Sequence, residues 1–295
     1  MTALPNALAL QRSARWERLG MVSLIAPALL VIALTLLIPV GWLFYLSALS
    51  DAGNFSLQHY QRMWEQPSYG RTFATTFKVS LITTFICILL SYPLAYFLSE
   101  LPKRVATLCM VAVLLPLWTS LLVRTYAWLV LLQRKGLINN WGIELGLWDE
   151  PLALVHNLTG TLVGMVHVML PFLVLPLYSA MRAIDRDYLR AAANLGAGPL
   201  RRFWLVFFPL ALPGLITGTL IVFILCLGFY VTPAVLGGGK VIMVAGRIAN
   251  DIELFFNWGA ASALGVVLLL LTMLLIFGAM RLARIGSALV NRSQS

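Results

Sequence analysis

Read for polarity alone, the chain alternates long apolar stretches with short polar ones. The apolar stretches fall at about 20–48, 72–98, 106–132, 158–181, 209–233 and 259–282. A helix needs roughly 20 apolar residues to cross a hydrocarbon core, and each of these stretches is long enough. None alternates every second residue as a barrel strand does. Because backbone in lipid must satisfy its own hydrogen bonds, the pattern predicts six membrane-spanning helices. The expected fold is an all-α integral membrane protein, with a six-span domain over 20–282, a segment 1–19 before it, a tail 283–295 after it and a connecting loop at 182–208.

Composition agrees: 60% of residues are hydrophobic, 11% are charged and the mean hydropathy is +0.89, outside the range of soluble domains. The first apolar run follows Arg12, Arg15 and Arg18 but is too long for a signal sequence and ends without a small-residue cleavage site, so it is expected to remain as an anchor.

Charge adds an orientation. Residues 1–19, the 99–105 turn, the 182–208 loop and the C-terminal end together hold 13 of the 21 Lys and Arg and only four acids, Glu17, Glu100, Asp185 and Asp187. The other side, with Lys78 just inside the second span, holds seven basic and seven acidic residues. The positive-inside rule predicts both termini and the 182–208 loop in the cytoplasm. The net charge of +10 then follows from topology and requires no nucleic acid partner. Cys87, Cys109 and Cys226 all lie in apolar stretches without metal or redox spacing, so no disulfide or metal site is expected.

The 182–208 loop carries the most specific local chemistry. Asp185 and Asp187 suit a helix N-terminus, Gly196 suits the left-handed residue that ends a helix, and Pro199 suits the first position of a second helix running to Pro209. Two short helices joined by a tight bend are expected, held at the membrane surface by Arg201, Arg202, Phe203 and Trp204. On the first helix, Ala191, Ala192 and Ala193 with Tyr188 and Leu195 give a low-relief apolar face. Such a face fits a groove on another protein, or covers the end of its own bundle.

The elements Ala191, Ala192, Gly196 and Val206 through Pro209 resemble the cytoplasmic signature of ABC importer permeases. The stretches "SYPLAYFLS" (91–99), "LPLWTSLLVRTYAWLVLL" (115–132), "GLINN" (136–140), "LPFLVLPLYSAM" (170–181), "FPLALPGLITG" (208–218) and "FYVTPAVLGG" (229–238) resemble permeases of the spermidine/putrescine type. The resemblance implies a permease subunit forming half of a translocation path for a small organic solute, a polyamine or related organic cation. It implies a second permease subunit, two cytoplasmic ATPase subunits, an extracytoplasmic solute-binding protein and a bacterial inner-membrane location. The loop would be a coupling helix docked on the ATPase through Asp187, Arg190, Ala191, Ala192 and Gly196. Where the family signature usually begins with Glu, this chain has Arg190, and the reversed charge needs a partner acid or Asp187 one turn earlier.

For an organic cation, aromatic faces are the natural lining, and Trp118, Tyr126, Trp128 and Tyr230 are the candidate path residues, with Asp251 and Glu253 able to concentrate a cation at the external mouth. Each aromatic could equally pack helices or sit in the interfacial belt. Arg124, the one charge deep in the third span, is expected to make a structural ion pair or carbonyl contacts.

Other classes fit less well. An enzyme needs clustered nucleophiles or titratable groups, yet His167 stands alone in the fourth span, and His156 is too far along the helix to share a metal. "LGGGK" at 236–240 lacks the first glycine and the final Ser or Thr of a phosphate loop, so ATP hydrolysis belongs to a separate subunit and no cofactor is expected. A self-contained secondary transporter could use Pro171, Pro176 and Pro213 to break its fourth and fifth spans, but the halves show no internal repeat and the spans no paired acids. An ABC permease for another solute, such as an amino acid derivative, also stays open.

Overall fold

The computed structural model describes residues 5–50 and 53–292, with side chains at 23, 25–50 and 53–281. The side chains of Arg12, Arg15 and Arg18, and those of the 283–295 tail, therefore lie outside what is described. Helix α1 (Pro5–Ser47) extends back beyond the expected start at 20. A short α2 (Gln58–Glu65) leads into α3 (Pro67–Glu100), which is the second span. The third span is α4 (Lys103–Leu114), a 3-10 turn at Leu115–Trp118 and α5 (Leu121–Leu131). A short α6 (Leu137–Glu144) precedes α7 (Leu158–Arg182), the fourth span.

The expected loop is α8 (Arg186–Asn194) and α9 (Pro199–Arg202); α9 passes through a π-turn at Phe203–Phe207 into α10 (Phe208–Leu227), the fifth span. Then come α11 (Val231–Leu236), α12 (Val244–Glu253) and α13 (Trp258–Arg292). Among the described residues five helices are long and apolar enough to cross a membrane, and the bent third pair makes six.

Three expectations change. The run 106–132 is not one straight helix: α5 leaves the 3-10 turn at 95° to α4. Pro116 tightens the turn, and the backbone at Thr119 and Ser120 is extended, so the helical ladder stops although the segment "LPLWTS" stays largely apolar. The fifth span ends at Leu227 rather than 233, with Gly228 as its cap and Pro233 inside the separate α11. The loop's second helix does not stop at Pro209 but runs as one span from Pro199 to Leu227. The π-turn widens the ladder just before Pro209, whose ring and missing N–H would otherwise break it. Conversely, α7 continues through Pro171 and Pro176, and α10 through Pro213.

The core is the packing of α3, α7 and α10 around Val79, Met165, Met169, Leu173, Leu177 and Val222. Two glycines bring α10 against α7. A Cβ on Gly214 would overlap the Cβ of Ala180, and one on Gly218 would lie 3.1 Å from the Leu173 carbonyl oxygen. Small residues four apart are what lets membrane helices approach closely. Helix α1 packs along α13, with its apolar face otherwise open.

Candidate coupling loop and translocation path

Local hydrogen bonds build the loop. The Asp185 carboxylate caps α8 by accepting from the Asp187 N–H at 2.9 Å. At the other end Gly196 has φ +83, a conformation glycine adopts without steric cost. Its N–H bonds the Ala193 carbonyl at 2.9 Å while the Ala197 N–H bonds the Ala192 carbonyl at 3.0 Å. This paired closure satisfies carbonyls that a helix end leaves free. Gly198 and Pro199 then start α9.

The loop stands out from the bundle. No residue of α8 is buried, and Leu195 is 88% exposed. Arg190 contacts Asp187 at 2.9 Å, with both side chains about three-quarters exposed (76% and 74%), so the position that departs from the signature already has an acid one turn earlier. Such an exposed pair fixes side-chain direction more than it adds stability.

Arg182 and Arg186, to which the sequence alone assigns no role, help to anchor the loop. Arg182 donates through Nη1 to the carbonyls of Ser99 at 2.6 Å and Leu101 at 3.1 Å, closing the end of α3. Arg186 pairs with Glu100 at 3.1 Å. A carboxylate in the last turn of a helix opposes the helix dipole, and that misplaced charge at Glu100 was the available hint of a cationic neighbour. Phe203 and Phe207 meet Tyr92 and Tyr96 edge-on, Tyr96 to Phe207 at 5.1 Å between centroids. These contacts tie α8 to the end of α3 and to the start of the fifth span.

The candidate path residues fall into two groups. Trp118 (82% exposed), Tyr126 (54% exposed) and half-buried Trp128 lie on the broken third span. Trp128 Nε1 donates to His167 Nδ1 on α7 at 3.0 Å, so its polar edge is already engaged. Tyr230 lies beside a cavity of about 150 Å³ bounded by Pro233, Met243, Gly246 and Asn250. The groups adjoin through Thr125 of α5 and Thr232 of α11, whose hydroxyls are 3.3 Å apart.

Asp251 and Glu253 separate. Glu253 is exposed, but Asp251 is only 3% exposed, on the inner face of α12. Its Oδ1 lies 3.1 Å from Arg247 Nε, and the Arg247 guanidinium stacks 5.0 Å from the Tyr69 ring centroid. Burial raises the Asp251 pKa above the ordinary carboxylate value, and the attraction of Arg247 only partly offsets it. Asp251 therefore faces the interior of the protein rather than an open mouth. Arg124 also departs from expectation: its Nε and Nη1 are shielded from solvent yet have no hydrogen-bond partner among the described residues.

Residues 81–285 match the family model of the binding-protein-dependent transport system inner membrane component. The chain is 35% identical over 251 residues to the spermidine/putrescine transport system permease protein PotB of Haemophilus influenzae, covering 85% of each chain. It is 32% identical to the protein of the same name from Escherichia coli, covering 76% of this chain and 82% of that one. Among solved structures, a bacterial ABC transporter involved in the import of the acidic polysaccharide alginate superposes with a TM-score of 0.73 at 14% identity, over 94% of this chain and 98% of that one. At that identity the likeness speaks for the fold.

Proposed function

Because this chain belongs to the binding-protein-dependent transport system inner membrane components, the permeases of ABC importers, we propose that it forms half of the translocation path of a polyamine importer. The observation that carries the substrate is its 35% identity, across 85% of both chains, to a spermidine/putrescine permease. The other half of the path comes from a second, different permease. Two ATPase subunits bind on the cytoplasmic side, and a solute-binding protein delivers the polyamine from outside. Both termini and the 182–208 loop face the cytoplasm of a bacterial inner membrane, in line with the distribution of basic residues.

In this reading Asp187, Arg190, Ala191, Ala192 and Gly196 present α8 to the ATPase. Arg190 is neutralised by Asp187, so docking rests on the flat alanine face and on Tyr188 and Leu195, both exposed. When the ATPase pair closes on ATP, α8 moves as a unit with the Arg186–Glu100 and Phe203–Tyr96 contacts. That motion shifts α3 and the fifth span from an inward-open to an outward-open arrangement. Trp118, Tyr126, Trp128 and Tyr230 offer aromatic faces to an ammonium group. Glu253 is the exposed carboxylate at the external end, and Asp251 supports α12 from within.

The test is to express the tagged chain together with the permease and ATPase encoded beside it, and to measure ATP hydrolysis of the purified assembly. Recovery of both partners, with hydrolysis stimulated by polyamine-loaded binding protein, is expected. Polyamine transport by the chain reconstituted alone would make it a self-contained carrier and overturn the proposal.

A further inference from the structure

Arg124 lies in the first turn of α5, just beyond the break that turns the third span by 95°. It lies one helical turn before Trp128, which bonds His167. His167 is nine residues into α7 from its external end at Leu158, about 14 Å at the helical rise. That depth is below the headgroups, where an unsatisfied guanidinium is costly.

Among the described residues nothing answers it. None of the 11 acids falls within the six apolar stretches, and Glu100, just past the second, is held by Arg186. His167 accepts from Trp128 through Nδ1, so its other ring nitrogen carries the proton in the neutral form and offers no acceptor. Thr125 gives its hydroxyl to Leu121 O at 2.9 Å and faces Thr232. Around Arg124, the side chains of Trp118, Leu122, Val123 and Tyr126 are exposed, an open apolar surface on the bend.

We infer that the segment 118–126 is a contact with the second permease, and that Arg124 receives an intramembrane carboxylate from that subunit. This rests on the importer reading above and adds to it the chemistry of the partner. A second copy of this chain has no carboxylate to offer at that depth, so the partner is a different chain. A polyamine cannot fill the role, because its ammonium groups repel a guanidinium. A carboxylate from the facing subunit satisfies the buried donors and cancels their charge beside the path of a cation.

The experiment uses the complete complex, with the tagged chain co-expressed with the second permease, the ATPase and the binding protein. Arg124→Met is expected to lower the second permease recovered per inserted tagged chain by about tenfold, the scale of a polar contact between membrane helices. Arg124→Lys should restore most of it. Neutralising the answering carboxylate in the second permease should cause the same loss, and no further loss in the Arg124→Met background. As a check that needs no change at Arg124, Tyr126→Cys should cross-link to a cysteine placed beside that carboxylate. Undiminished recovery of the second permease with Arg124→Met, with or without loss of uptake, would overturn the inference, as would absence of the cross-link. Failure of the polyamine reading looks different: the wild-type complex would assemble fully but not carry polyamine.

Discussion

Replacing Gly214 by alanine should push α10 away from α7. The new Cβ would lie 2.8 Å from the Pro176 carbonyl oxygen and overlap the Cβ of Ala180, both on α7. Carbon and oxygen normally meet at about 3.4 Å, so the backbones must part by roughly 0.6 Å even before the side chain of Ala180 is cleared. Neither obstacle is the end of a flexible side chain, so the helices themselves must move. Separation also weakens the contact at Gly218, where α10 already sits close to Leu173. Overpacking of this kind costs about 1–3 kcal/mol, against a gain of about 0.5–1 kcal/mol from alanine's better helix propensity. A Gly278→Ala variant is the control, because nothing lies within 4 Å of that position and only the propensity gain applies. The assay is the midpoint of thermal aggregation in detergent, followed by size-exclusion chromatography of heated samples. Gly214→Ala is expected to melt about 2–6 °C below wild type and Gly278→Ala at or above it. Equal midpoints for the two variants would refute the close-packing argument.

Orientation is tested with single cysteines at positions 200 and 145, both exposed: an impermeant reagent on intact spheroplasts should label only 145, and the reverse pattern would invert the topology. Gly196→Leu must adopt a left-handed backbone at φ +83 at a cost of about 1–2 kcal/mol, and should abolish stimulated ATP hydrolysis without reducing insertion; normal coupling would remove the bend from the mechanism. Asp251 has a folded pKa above its unfolded value, so its contribution to stability is full below the ordinary aspartate pKa of about 3.9 and is lost as pH rises through the raised folded value. Asp251→Asn should remove that part of the pH dependence of the melting temperature, and an unchanged profile would show that the carboxylate is solvated.

What could be read from the sequence was what depends on local chemistry. The spans follow from hydropathy. The two-helix loop follows from Asp185, Gly196 and Pro199, whose roles are settled by their own backbone and near neighbours. The break at 115–120 was hidden because hydropathy records how apolar a segment is and not its direction, and "LPLWTS" stays largely apolar through a 95° turn. Asp251 looked like a mouth residue because the charge distribution places its loop outside, but the inner face of α12 carries it against Arg247, which stacks on Tyr69. Gly214 and Gly218 were visible as a four-residue spacing, yet which helix they meet is a tertiary fact. The unmet donors of Arg124 are likewise invisible until every neighbour has been placed.

Substrate flux is the most direct test of the central claim that this chain belongs to a polyamine importer. The complete complex is reconstituted in proteoliposomes with its binding protein, and ATP-dependent uptake of labelled spermidine and putrescine is compared with that of a zwitterionic amino acid derivative of similar size. The account predicts saturable polyamine uptake that needs both ATP and the binding protein, with no uptake of the zwitterion. Uptake of the zwitterion without the polyamine would contradict it.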